Sequence, residues 1–171
     1  MIPGIYVVAL SLIIMLGAVF RPVTESQEIP WLPSVVVPLS CERCDLTMIR
    51  WPHRNLEGAR LTDANLNAAQ LTGARLDDAT LRGARLDDAN LFGASLAGAD
   101  LRSASMTRAN LANASLNGAN LEDADLSHAN LVGATLTGAK LSGVRLDGAF
   151  LHDIIVCDAI AAEAIGKRVR C

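Results

Sequence analysis

The chain has 171 residues, a formal net charge of −3 and 51% hydrophobic residues, with aromatics making up only 4%. That length suits one domain with a short extra segment rather than two large domains. The near-neutral balance argues against a phosphate-backbone binder, which needs a basic patch, and against a strongly acidic nucleic-acid mimic. With so few aromatics the apolar content must be carried by Leu and Ala, set in a pattern.

Residues 2–20 (IPGIYVVALSLIIMLGAVF) carry no charge. At about 1.5 Å per residue, a helix of that length just crosses a hydrocarbon core of about 30 Å. An N-terminal hydrophobic helix over 1–20 is expected, as a signal peptide or a transmembrane anchor. A signal peptide would use Ile5–Met15 as its apolar region and Gly17-Ala18 near a cleavage site, yet no Lys or Arg precedes the run. An anchor needs no cleavage site. Arg21 is soon answered by Glu25 and Glu28, so basic residues do not set an orientation. Residues 21–40 hold four of the six prolines and read as a linker.

From Leu46 to Leu151 one position recurs every five residues, and 20 of its 22 occurrences are Leu, with Trp51 and Met106 as exceptions. Two residues earlier runs an Ala series, unbroken from Ala59 to Ala139. A period of five fits neither regular element. On an α-helix successive Leu would be displaced by about 140° around the axis. In a continuous strand an odd step sends alternate Leu to opposite faces. The local pattern resolves this: Ala, any residue, Leu is inward, outward, inward, and two further residues turn the chain. The second residue after each Leu is most often Gly, as at Gly73 and Gly143, or Asp or Asn, as at Asp78 and Asn113. These tolerate turn geometry best. A chain that turns the same way every five residues, always with Leu inside, winds into a solenoid. Its core includes Leu66, Leu86, Met106, Leu126 and Leu146.

Runs such as Ala64-Asn65-Leu66, Ala109-Asn110-Leu111 and Ala124-Asp125-Leu126 resemble the A(D/N)LXX signature of the pentapeptide repeat family, over residues 44–153. The resemblance implies an all-β, right-handed, four-sided (quadrilateral) β-helix with four pentapeptides per coil. The 22 repeats then make about five and a half coils, a rod roughly 25 Å long at about 4.8 Å per coil. Departures at Ile49-Arg50-Trp51-Pro52 and at Arg54 fall in the first coil. The repeat domain is placed at 41–153 and a short C-terminal capping helix in 154–171. Within the latter, Asp158 reads as an N-cap, Gly166 as a stop, and Ile160, Ala161, Ala164 and Ile165 as cover for the open core.

Four cysteines stand at Cys41, Cys44, Cys157 and Cys171. Their spacing invites a four-cysteine zinc site, but the two pairs belong to opposite ends of the rod, far beyond zinc–sulfur bonds of about 2.3 Å. Disulfides in an oxidising compartment are expected instead, with Cys157–Cys171 able to staple the cap. Exported members of the family that this chain resembles also open with a Cys-x-x-Cys-Asp-Leu segment, as Cys41–Leu46 does.

If the four sides hold, outward residues twenty apart stack. Gln70, Asn90, Asn110 and Asn130 then form a candidate amide ladder, and Phe92, Ala112, Val132 and Phe150 a candidate interaction ridge on the same side. Scattered exposed apolar residues are ordinary, so the ridge is weighed against that plainer reading. Asp77-Asp78 and Asp87-Asp88 read as solvated turn residues offset by Arg75, Arg82 and Arg85 rather than as paired catalytic carboxylates. His53, His128 and His152 fall on separate repeats. No catalytic, cofactor or metal site is expected.

The function expected is a non-catalytic, exported or membrane-anchored scaffold or protein-interaction module, in a periplasm or thylakoid lumen. Its partner is an unidentified protein, with self-association open, membrane contact through residues 2–20 if they are uncleaved, and no nucleic acid. The alternative comes from the resemblance alone. Some family members mimic duplex DNA and bind type II topoisomerases, which would need a cytosolic-facing, strongly acidic rod. Residues 45–153 hold 13 acids and 10 bases.

Overall fold

The computed structural model describes residues 39–156. The expected N-terminal helix, most of the linker, the capping helix, Cys157 and Cys171 lie outside these residues. Every fifth residue from Ser40 to Thr135 forms a parallel bridge to the residue twenty positions on, ending at Thr135↔Ile155. Four pentapeptides therefore complete one turn of the stack. The pairing reaches past both expected bounds of the repeat, since Ser40 and Ile155 take part in it.

The register follows from where each backbone group finds its partner. In the unit centred on Leu66, the Leu66 N–H donates to the Arg85 carbonyl (2.6 Å) and the Asn65 N–H to the Cys44 carbonyl (2.8 Å). The Ala68 N–H donates to Asp87 (2.8 Å), and the Ala69 N–H closes a turn on Leu66 itself (3.0 Å). Three of these bonds tie coil to coil and one makes the corner. The N–H of the residue after the Leu is met by side chains instead. Asn65 Oδ1 accepts from Asn67 N–H at 3.3 Å, Asn110 Oδ1 from Ala112 N–H at 3.2 Å and Asp125 Oδ1 from Ser127 N–H at 2.9 Å. This is an Asx turn, and it is why Asp or Asn precedes so many of the leucines.

Each corner requires a left-handed residue. From Arg43 to Asp153, every second residue after the central position has φ between 54° and 72°. Gly, Asp and Asn were expected there, yet Arg43, Met48, His53, Ala68, Ser103, Arg108 and His128 adopt it too. The left-handed region costs a side-chain-bearing residue roughly 1–2 kcal/mol. The coil-to-coil bonds on either side impose it all the same. Side chains at some corners also fold over the glycine one coil later: Asp123 over Gly143, Asp63 over Gly83 and His53 over Gly73.

The interior is Leu on Leu and Ala on Ala. Leu66, Leu86, Met106 and Leu126 are at most 1% exposed, each burial worth about 1.5–3 kcal/mol. Leu146, expected in the same row, is only partly buried, as are its neighbours Val144 and Ala149 in this last coil. The departures of the first coil do not break the winding. Arg50 bridges Gln70, and Trp51 packs against the core while its N–H reaches Gln70 at 2.8 Å. Arg54 takes the position of the small inward Ala but stays exposed, and its turn bond to Trp51 lengthens to 3.4 Å.

Candidate interaction side

One side of the stack comprises the units centred on Trp51, Leu71, Leu91, Leu111, Leu131 and Leu151. The residue before each Leu points outward, and twenty-residue register brings Gln70, Asn90, Asn110 and Asn130 into a column. The amide ladder forms. Asn90 Nδ2 donates to Gln70 Oε1 at 3.3 Å, and Asn110 to Asn90 and Asn130 to Asn110 at 3.4 Å each. Asn90, Asn110 and Asn130 Oδ1 accept the N–H groups of Phe92 (3.2 Å), Ala112 (3.2 Å) and Val132 (3.1 Å). Each of these Asn side chains thus serves its own turn and its neighbour in the next coil.

Beside the ladder, Phe92 is 44% exposed and Val132 is partly exposed, while Phe150, 63% exposed, continues the ladder column past Asn130. Ala112 does not stand out as a ridge residue. It keeps 8% exposure, because it is small and lies in register between Phe92 and Val132. The column is two apolar prominences around a recess.

Charge is distributed unevenly. Residues 89–99, 109–119 and 129–139 contain no Asp, Glu, Lys or Arg, which leaves two adjacent sides of three successive coils neutral. The other two sides carry ion pairs. Arg108 Nη2 meets Asp88 Oδ2 at 2.6 Å, Arg102 Nη2 meets Asp100 Oδ2 at 2.6 Å, and Arg145 Nη1 meets Asp125 Oδ2 at 3.2 Å. The Arg108 hydrogen bond holds the Asp88 carboxyl below its ordinary pKa, and the Arg102 bond does the same for Asp100. For Asp125 the hydrogen bonds from Ser127 lead, with Arg145 adding to them.

The acidic pairs are structural. Asp77 Oδ1 accepts from Ala97 N–H (3.1 Å) and from the Ser95 hydroxyl. Asp87 Oδ1 accepts from Thr107 N–H (3.2 Å) and Thr107 Oγ1 (2.7 Å). Asn67 and Asn117 bond the next coil in the same way, to Asp87 N–H and Thr137 N–H. Sequence reasoning missed these coil-to-coil caps. Their signal is an Asp or Asn just after a Leu, facing a backbone N–H twenty residues on.

Cys41 and Cys44 are joined by a disulfide with Sγ–Sγ 2.07 Å. Cys41 holds a central inward position and Cys44 the small inward position of the next unit. His53 and His128 sit at corners over Gly73 and Gly148, while His152 contacts Asp153 at 3.1 Å. Among the described residues no cluster of His, Cys, Asp or Glu could hold a metal ion. Among them, too, no helix is long and apolar enough to cross a membrane. An open depression lined by Thr62, Asp63, Arg82, Gly83 and Ser103 lies on the side opposite the ladder.

A family model described as pentapeptide repeats matches residues 53–83, 84–123 and 114–153, with 8 copies. Among solved structures, the chain is 31% identical to the pentapeptide repeat protein Rfr23 from the cyanobacterium Cyanothece 51142, covering 71% of this chain and 88% of that one with a TM-score of 0.51. A pentapeptide repeat protein from the Arabidopsis thaliana thylakoid lumen is 30% identical over 50% of this chain and 60% of its own, TM-score 0.49. QnrB1, a plasmid-mediated fluoroquinolone resistance protein, is 20% identical over 75% and 67%, TM-score 0.47. No curated protein matched. The family match implies a right-handed quadrilateral β-helix.

Proposed function

Because this chain belongs to the pentapeptide repeat family, we propose that it is a non-catalytic interaction scaffold, exported or membrane-anchored, whose rod presents stacked side chains to a protein partner. The observation that carries the reading is the division of labour in each unit. Inward Leu and Ala and the backbone bonds build a closed rod, and the outward positions repeat at coil spacing as columns. Carboxylates cap N–H groups and pair with arginine, as at Asp87 and Asp88.

Export is supported by the charge-free run of residues 2–20 and by the Cys41–Cys44 disulfide, since disulfides persist in oxidising compartments. The periplasm and the thylakoid lumen both fit. The topoisomerase-binding alternative has less support. A duplex mimic needs bare negative columns, whereas Arg75, Arg102, Arg108 and Arg145 each lie against a carboxylate. The test is a phosphatase, active only when exported, fused after residue 40. Activity supports the export reading, and the full chain run without reductant should then carry its disulfides. An inactive phosphatase on a stably expressed fusion overturns it and returns the rod to the cytosolic side.

A further inference from the structure

The neutral half of the rod is the least costly part of its surface to dry. The Asn90, Asn110 and Asn130 amides bond one another and the backbone, so covering them strands few hydrogen-bonding groups. No ion pair would be desolvated there, unlike on the sides carrying Arg102–Asp100 or Arg108–Asp88. Phe92 is exposed on it, and Phe150 on the next unit of the same side, where His152 contacts Asp153.

Resting on the scaffold reading, we propose that this side is a self-association surface whose occupant is a second copy of the chain, packed face to face and antiparallel. The relief of the side is self-complementary. Consider a two-fold axis lying in the face, across the rod, midway between the Leu111 and Leu131 units. It sets Val132 of one copy against the recessed Ala112 of the other, and does so twice, as an isologous contact must. It also sets Phe92 opposite His152 and Phe150 opposite Asn90. From Gln70 to Gly133 the contacting residues of this side carry no charge, so no like charges meet. Asp153, at the far unit, comes opposite Gly93 rather than opposite another charge.

The area sets the strength. Four units, from Leu91 to Leu151, overlap in this pairing; at about 4.8 Å spacing and about 10 Å width they give a patch well short of what stable interfaces bury, which is about 800 Å² per partner. The dimer is therefore weak and in rapid exchange with monomer.

Sedimentation equilibrium of the full chain, in one mild detergent throughout, from about 10 to about 500 µM, tests this. The weight-average mass should climb toward twice the monomer and do so equally in about 0.05 and 0.5 M salt, since screening acts on charged contacts. The double variant Phe92→Ser/Val132→Ser, checked for an unchanged cooperative melt, should stay monomeric. Lys140→Ser, on the opposite side, should associate like the parent. Association that survives the double variant, or weakens with salt, overturns the proposal, as does a parent chain that is monomeric throughout. None of these outcomes touches the scaffold reading itself, which stands or falls on the exported phosphatase.

Discussion

Placing a methyl group at two corners separates the cost of the left-handed turn from the cost of crowding between coils. Gly93 has φ 63°, and a Cβ added there meets no heavy atom within 4 Å. Gly93→Ala should therefore lose only the left-handed penalty, about 1 kcal/mol. Gly143 has φ 70°, and its added Cβ runs into Oδ1 of Asp123, with Cγ at 3.3 Å and the Asp123 Cα at 3.6 Å. Asp123 must leave its rotamer, which adds about 0.5–1.5 kcal/mol, so Gly143→Ala should cost about 2 kcal/mol in all. Urea unfolding at fixed pH reads both, with the midpoint shift of Gly143→Ala about twice that of Gly93→Ala. Combining Gly143→Ala with Asp123→Gly should return the cost to at most that of Gly93→Ala. Equal costs at the two corners, or no recovery in the double variant, would refute the argument that side chains at one corner lie over the next.

Further outcomes follow from the same contacts. Ala68→Gly, at φ 55°, should stabilise the rod by about 1 kcal/mol, read as a higher urea midpoint. Leu116→Asp puts a carboxylate at a position with 0% exposure, and its cooperative melt should vanish; a soluble, cooperatively melting variant would contradict the register. Asn110→Ala removes two ladder bonds and the acceptor for Ala112 N–H and should cost about 1–2 kcal/mol by urea unfolding. The folded-state pKa values of Asp88, Asp100 and Asp125 are lowered, so the stability they contribute is complete above the unfolded value of about 3.9. It is lost as pH falls through the lower folded values. Melting temperature should be insensitive to these groups above about pH 5 and decline below about pH 4, less steeply in Asp100→Asn. Reducing Cys41–Cys44 opens a loop of sequence separation 3, for which chain entropy gives about 2 kcal/mol, to be seen as early loosening of the first coil in hydrogen exchange.

The winding was legible because one signal was repeated past any ambiguity. Leu every five residues with Ala two before it admits one inward pattern, and the residues at the corners agree with it. Leu66, Leu86, Met106 and Leu126 were identified as core for that reason. The twenty-residue register was not in the periodicity, since a period of five does not say how many corners close a turn; it came from the family resemblance. Arg43, Met48 and Arg108 at left-handed corners were not foreseen, because local preference is overruled by bonds to two neighbouring coils. Asp87 looked like a solvated turn residue, while its cap on Thr107 N–H joins residues twenty apart and needs the register to be seen. The amide ladder could be read once four sides were assumed. The recess at Ala112 could not, because it depends on how its neighbours in register shield it.

Every column on the rod, from the amide ladder to the neutral side, depends on the twenty-residue register. Scalar couplings across hydrogen bonds report that register directly by NMR. A coupling is expected from the Leu111 amide nitrogen to the Asn130 carbonyl carbon, and from the Asn110 amide nitrogen to the Ala89 carbonyl carbon, matching bonds of 2.7 and 2.9 Å. Couplings from these amides to carbonyls at any other separation would contradict that register.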